Sequence, residues 1–283
     1  MKTVLIIAQL TIRETQRRRI LWVGLLMGVA FLVLFGLGFH YIYAEIELEM
    51  AQRPGQDLRF AGMIAGFLTL TGLYVINFLV VVMAALLSAG TLSGEIESHT
   101  METLVTKPIR RWEVVLGKWL GFATLITVYL LLLAGSVALV AYLRAGFAVQ
   151  HFAAGIALML LAGLTMLSVA MLGGTRLSTL ANGALAFMLY AIAFVGGWVE
   201  QIGAILRNET AVDLGILSSL LMPADVLWKK ASILFQPAVA GGLDFPGPFV
   251  VMSEPNDVMT LYALLYAALL LVLALWSFSR RDL

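Results

Sequence analysis

Residues 115–143 read VLGKWLGFATLITVYLLLLAGSVALVAYL, with Lys118 as their only charge. An α-helix rises 1.5 Å per residue, so about 20 predominantly apolar residues cross the roughly 30 Å hydrocarbon core of a bilayer. This stretch exceeds that length, and it offers no polar face that would hold it on the surface of a soluble domain. Working outward, five further runs have the same character: Ile20–Tyr43, Gly62–Thr91, Phe152–Gly173, Thr179–Val199 and Val258–Phe278. The chain is 61% hydrophobic and 12% charged, with a mean hydropathy of +0.96. A soluble protein of this size has too little interior for so much apolar surface. The reading is an all-α integral membrane protein with six transmembrane helices, organised as one domain over residues 1–283.

The ends of the spans set the orientation. Residues 1–19 hold a short apolar run, Val4–Leu10, followed by Arg13 and by Arg17, Arg18 and Arg19 where a signal peptide would need small residues. They read as an amphipathic interfacial helix anchored by its arginines. An aromatic group, Phe39, His40, Tyr41 and Tyr43, closes the first span, and an acidic segment, residues 44–61, follows it. With the N-terminus inside, twelve Lys and Arg fall on the inner side and six on the outer, as positive-inside orientation requires. Both termini are then cytoplasmic in a multi-pass cell (inner) membrane protein. Residues 200–257 form no ordinary loop. Leu214–Met222 is too short to cross, Pro223 stops it, Val226–Phe235 is amphipathic, and Pro237, Gly241, Gly242, Pro246, Gly247 and Pro248 punctuate the remainder. Such a segment either dips into the outer boundary as a broken, re-entrant piece or caps it externally.

Several functions lack their residues. These span boundaries place no Asp or Glu at membrane depth, which argues against a carrier run on ion or proton gradients. There are no cysteines, and His40, His99 and His151 are scattered, so no metal site is assigned. Neither a phosphate-binding G-x-x-x-x-G-K-[ST] loop, a glycine-flanked serine nucleophile nor an HExxH pair occurs, and no catalytic residue is assigned. Nothing points to nucleic acid. Ser88, Thr124, Thr127, Tyr129, Ser136, Thr165, Ser168 and Asn182 are expected to bond between helices. Asn77 is the exception with a claim on a transport pathway, helix packing being the alternative. The pairs Gly24/Gly28, Gly62/Gly66 and Gly117/Gly121 permit close helix approach, and the methionines are expected to pack or to face lipid.

The segment between spans two and three, residues 92–114, carries the most information. As a helix it places Glu95, His99, Glu102 and Thr106 on one face and Met101, Leu104 and Val105 on another; Pro108 ends it, and Arg110 and Arg111 mark re-entry into the membrane. The spacing of Glu95, Glu97, Thr100, Glu102, Leu104, Pro108, Arg111, Glu113, Gly117 and Lys118 resembles the cytoplasmic loop of type-two ABC exporter permeases, with His99 standing where a glycine is usual. The resemblance extends to the N-terminal interfacial helix, the six spans, the broken segment before span six and the terminal Ser-Arg-Arg-Asp.

It implies that this loop is a coupling helix docking on a cytoplasmic ATPase, with Glu95, Glu97, Thr100, Glu102, Leu104 and Arg111 as contacts. Arg13 and Arg17–Arg19 would anchor the interfacial helix or support the same surface. It further implies two separate ABC ATPase subunits that hold the ATP and magnesium, a second permease copy (a homodimer being expected), no enzyme activity in this chain, and a substrate pathway along spans two and five. An apolar or amphipathic cargo suits a membrane interior without fixed charge. The alternative is a force-transmitting subunit that moves no cargo and relays ATPase motion to an outer-side accessory protein, as in nitrous-oxide reductase maturation systems.

Overall fold

A computed structural model of the chain describes residues 2–52, 58–91, 110–236 and 255–280. The described residues form helices α1 (Lys2–Arg17), α2 (Arg19–Gln52), α3 (Leu58–Ala89), α4 (Arg111–Ala145), α5 (Phe152–Gly174), α6 (Thr179–Leu206), α7 (Glu209–Leu221), α8 (Ala224–Phe235) and α9 (Asp257–Ser279). Six of these, α2 to α6 and α9, are long and apolar enough to cross a membrane. An all-helical build is what a bilayer demands, because each helix pairs its own backbone groups where water cannot.

The spans agree with the hydropathic runs to within a few residues at most ends. The exceptions are α2, which continues through Glu45, Glu47 and Glu49 to Gln52, and α6, which continues past Val199 to Leu206. Hydropathy marks where the chain leaves hydrocarbon, not where the helix stops. Beyond that point α2 still packs: Phe39, Tyr43 and Ile46 are buried with Ala61, Ala65 and Ala141. The central core lies where α3, α4 and α5 meet, around Leu73, Ile76, Val80, Phe122, Ile126, Leu130, Met159, Met166 and Leu167. Met159, Met166 and Met171 are packed within it, whereas Met188 is exposed.

The hydroxyls behave differently from expectation. Ser88, Thr124, Thr127, Ser136, Thr165 and Ser168 each donate to the carbonyl four residues back on their own helix. That bond is always within reach and leaves no donor facing hydrocarbon. Bonds between helices come from longer groups. Trp119 Nε1 donates to Ser168 Oγ at 3.1 Å, Tyr129 Oη to the Gly24 carbonyl at 2.9 Å, and Asn182 Nδ2 to the carbonyls of Ala89 and Ala170 at 3.1 and 2.8 Å. Asn182 thus pins the start of α6 to the ends of α3 and α5. Asn182→Ala should cost about 1–3 kcal/mol by orphaning those contacts and opening a void. A lowered melting midpoint of the detergent-solubilised protein would register it.

The segment before the last span is a helical hairpin, α7 and α8, sharply bent at its break. Asn208 caps α7, its Oδ1 accepting from Ala211 N–H at 3.2 Å, and the chain then runs back along α6. Ala211 faces Gly203, Gly215 faces Glu200 and Ser218 faces Gly196. At Pro223 the direction changes by 104°. Helix α8 then climbs past Gly197 and Glu200 to set Phe235 against Gly155 and Phe152 at the start of α5. Both hairpin ends therefore lie at the same end of the bundle. At its tip the carbonyls of Leu220 and Leu221 accept from the hydroxyls of Tyr262 and Tyr266 on α9 at 2.6 and 2.7 Å. Tyr266 stands nine residues into α9, so the tip reaches about 13 Å below the start of that helix.

Candidate coupling and pathway site

Two regions compete for function, at opposite ends of the bundle. The first surrounds the loop between α3 and α4. Glu95, Glu97, Thr100, Glu102 and Leu104 lie outside the described residues, as does the rest of 92–109. Arg111 is the first residue of α4 and half-buried. The turn before it is fixed by Glu113, whose Oε2 accepts from Arg110 N–H at 3.1 Å, so the chain leaves the loop directly into a capped helix.

Helix α1 is seated on this start of α4. Its buried residues, Val4, Ile7, Ala8, Thr11 and Thr15, recur at helical spacing, and Leu5, Ile6 and Leu10 remain exposed on another side. The fit depends on two glycines. A Cβ on Gly117 would stand 2.7 Å from Ile7 Cβ and 2.9 Å from the Val4 carbonyl, and one on Gly121 would stand 2.9 Å from the Ala8 carbonyl. The backbones are therefore nearly in contact, as small residues at four-residue spacing allow. Gly24 and Gly28 also serve close packing, against Met83 and against Leu133 and Tyr129, and Gly66 meets Phe147; Gly62 faces open space. Arg13, Arg17 and Arg19 are exposed, while Arg18 pairs with Glu14 on α1. The break at Arg18 separates α1 from α2, and Trp22 Nε1 donates across it to the Gln16 carbonyl at 3.0 Å.

The second region joins α3, α6 and the hairpin. Tyr74 and Phe78 on α3 meet Tyr190, Phe194 and Trp198 on α6. Centroid distances are 6.4 Å for Tyr74–Phe194 and 5.9 Å for Phe78–Tyr190, and Trp228 of α8 closes on Tyr74 at 5.3 Å. Phe78 and Trp198 are about 40% exposed, so the seam is not fully enclosed. The i, i+4 spacing of these rings could have been read from the sequence. Asn77, beside the seam on α3, is buried, and its Oδ1 has no hydrogen-bond partner among the described residues.

Beyond Trp198, toward the end of α6, lies a charged cluster. Glu200 falls within the fifth candidate span, α6, and is buried. Lys229 Nζ lies 2.9 Å from Glu200 Oε2 and 2.8 Å from Asp225 Oδ2. Helix α6 thus carries Glu200 beyond the hydropathic run, which ends at Val199. A hydropathy window ends at the first acidic residue and cannot show that the returning hairpin brings Lys229 Nζ to Glu200 Oε2.

A family model for "ABC-2 family transporter protein" matches residues 5–283. The chain belongs to the ABC-2 transporter family. As an ABC-2 permease it is a membrane subunit that partners an ABC ATPase, and the matched range takes in both α1 and the loop ahead of α4. No curated protein matches it. For an ABC-2 permease the two regions divide naturally: one end adjoins the loop that the resemblance assigns to the ATPase, and the other carries an aromatic seam beside the helical hairpin.

Proposed function

We propose that this permease subunit couples ATP hydrolysis by separate cytoplasmic ATPase subunits to export of an apolar or amphipathic molecule across the cell membrane, working as a homodimer with both termini in the cytoplasm. The observation that carries the reading is the seating of α1 on α4 through Gly117 and Gly121, immediately after the loop. A push delivered to residues 92–109 enters a capped, rigid span and the interfacial helix together. Rigid helices moving as bodies are the usual means of switching between alternate states. Glu95, Glu97, Thr100, Glu102, Leu104 and Arg111 make the ATPase contact in this proposal. ATP and magnesium reside in the partner, and Arg13 and Arg17–Arg19 anchor α1 among anionic headgroups.

At the other end, the seam of Tyr74, Phe78, Tyr190, Phe194 and Trp198 offers rings to apolar and aromatic cargo. Asn77 adds one amide to that path.

Reversing the docking chemistry tests the reading. Glu102→Arg and Leu104→Asp should each abolish co-purification of the ATPase while leaving the permease folded; binding and stimulated ATPase activity at the unaltered level would overturn the assignment. Reconstituted vesicles separate export from force transmission, since ATP-dependent cargo accumulation is expected from an exporter. ATPase stimulation by an outer-side partner without accumulation would replace export with the force-transmitting alternative.

A further inference from the structure

The hairpin does not rest on one neighbour. Helix α7 lies against α6 with almost no space between backbones: a Cβ on Gly215 would stand 2.3 Å from Glu200 Cβ and 2.8 Å from the Gly196 carbonyl, and one on Gly203 would stand 2.7 Å from Ala211 Cβ. Helix α8 instead packs mainly on α5, where a Cβ on Gly155 would stand 2.2 Å from the Phe235 ring. The hairpin therefore joins two bodies, α6 with α7 and α5 with α8, and the chain reverses between them at Pro223.

One buried ion pair crosses from the first body to the second. Lys229 is held in direction by Asp225 one turn earlier on α8, and it reaches over to Glu200 on α6 at 2.9 Å. Gly197 leaves the room this needs, since a Cβ there would stand 2.0 Å from Asp225 Oδ2. The side chains of Glu200 and Lys229 are 8% and 5% exposed, so the pair is shielded from solvent. Such a pair is weak evidence of net stability, because desolvation opposes attraction, yet separating or truncating it leaves an uncompensated buried charge. That asymmetry makes the contact two-state: closed, or opened far enough for each charge to find water.

We propose that Glu200, Lys229 and Asp225 form a latch that holds the α6–α7 body against the α5–α8 body, and that the latch opens during the ATP-driven cycle. The opening step rests on the transport reading above; the latch itself does not. Spin labels at Leu217 of α7 and Ala154 of α5, both exposed, report the separation of the two bodies, and the chain has no native cysteine to interfere with labelling.

Without nucleotide or ATPase, the doubly labelled parent should give one short distance. Lys229→Met and the isosteric Glu200→Gln should each raise a longer-distance population at least about tenfold. The parent distribution retained in both variants would overturn the latch whatever the protein transports. Should Lys229→Met fail to fold, Glu200→Gln carries the test, as it keeps the volume and removes the crossing charge. With the ATPase bound and a non-hydrolysable ATP analogue added, the parent should move to the longer distance. No movement would overturn the opening step and leave the nucleotide-free result standing.

Discussion

Gly215→Leu should lower the thermal midpoint of the detergent-purified permease by about 5–10 °C, the expected size of a severe overpacking defect. The new Cβ would collide with Cα and Cβ of Glu200 at 2.9 and 2.3 Å and with the Gly196 carbonyl at 2.8 Å. Two of these three obstacles are backbone atoms in the middle of α6, and a helix that must keep its own hydrogen bonds in the membrane cannot step aside locally. Relief requires α7 to lift from α6. Gly38, whose Cβ position has nothing within 4 Å, is the control. Gly38→Ala should be neutral or slightly stabilising, since alanine is the better helix former. An unchanged midpoint for Gly215→Leu would show that α7 is not fixed on α6.

Gly117→Leu should leave the six spans assembled and release α1. Ile7 Cβ and the Val4 carbonyl block the added side chain at 2.7 and 2.9 Å, and α1 has no comparable seat elsewhere, its contact with α2 being slight. A loss of about 2 kcal/mol of docking energy corresponds to roughly thirty-fold more frequent detachment. Trypsin cleavage within α1, at Arg13 and Arg17, should accelerate by that factor while the remainder resists. If α1 transmits load with α4, ATPase stimulation should fall in parallel although the ATPase still binds. Cleavage at the parent rate would remove α1 from the coupling path.

The spans themselves were legible because hydrocarbon imposes a length and a composition that few other environments require. Val115–Leu143 could hardly be anything but a span, and the helix found there, Arg111–Ala145, is that span with its polar ends added. The Gly117/Gly121 pair was legible as a close approach, though not its partner, since nothing in sequence spacing says that α1 folds back onto α4. The meeting of Glu200, Asp225 and Lys229 was not legible, for a related reason. Glu200 and Lys229 are 29 positions apart, and each taken alone marks the edge of a membrane; only the reversal at Pro223 shows that they neutralise one another. The aromatic seam needed the same step, because rings at four-residue spacing on α3 and on α6 declare a face without declaring what it meets.

The hairpin also bears on how the chain is made. Some groups that α7 and α8 carry into the bundle find their counterparts in something synthesised earlier: Lys229 finds Glu200, and Phe235 finds Gly155. Others wait for α9: Lys230 pairs with Asp257 at its start, and the carbonyls of Leu220 and Leu221, at the open end of a helix, accept from Tyr262 and Tyr266. A span made after the hairpin thus supplies the donors that close the end of α7.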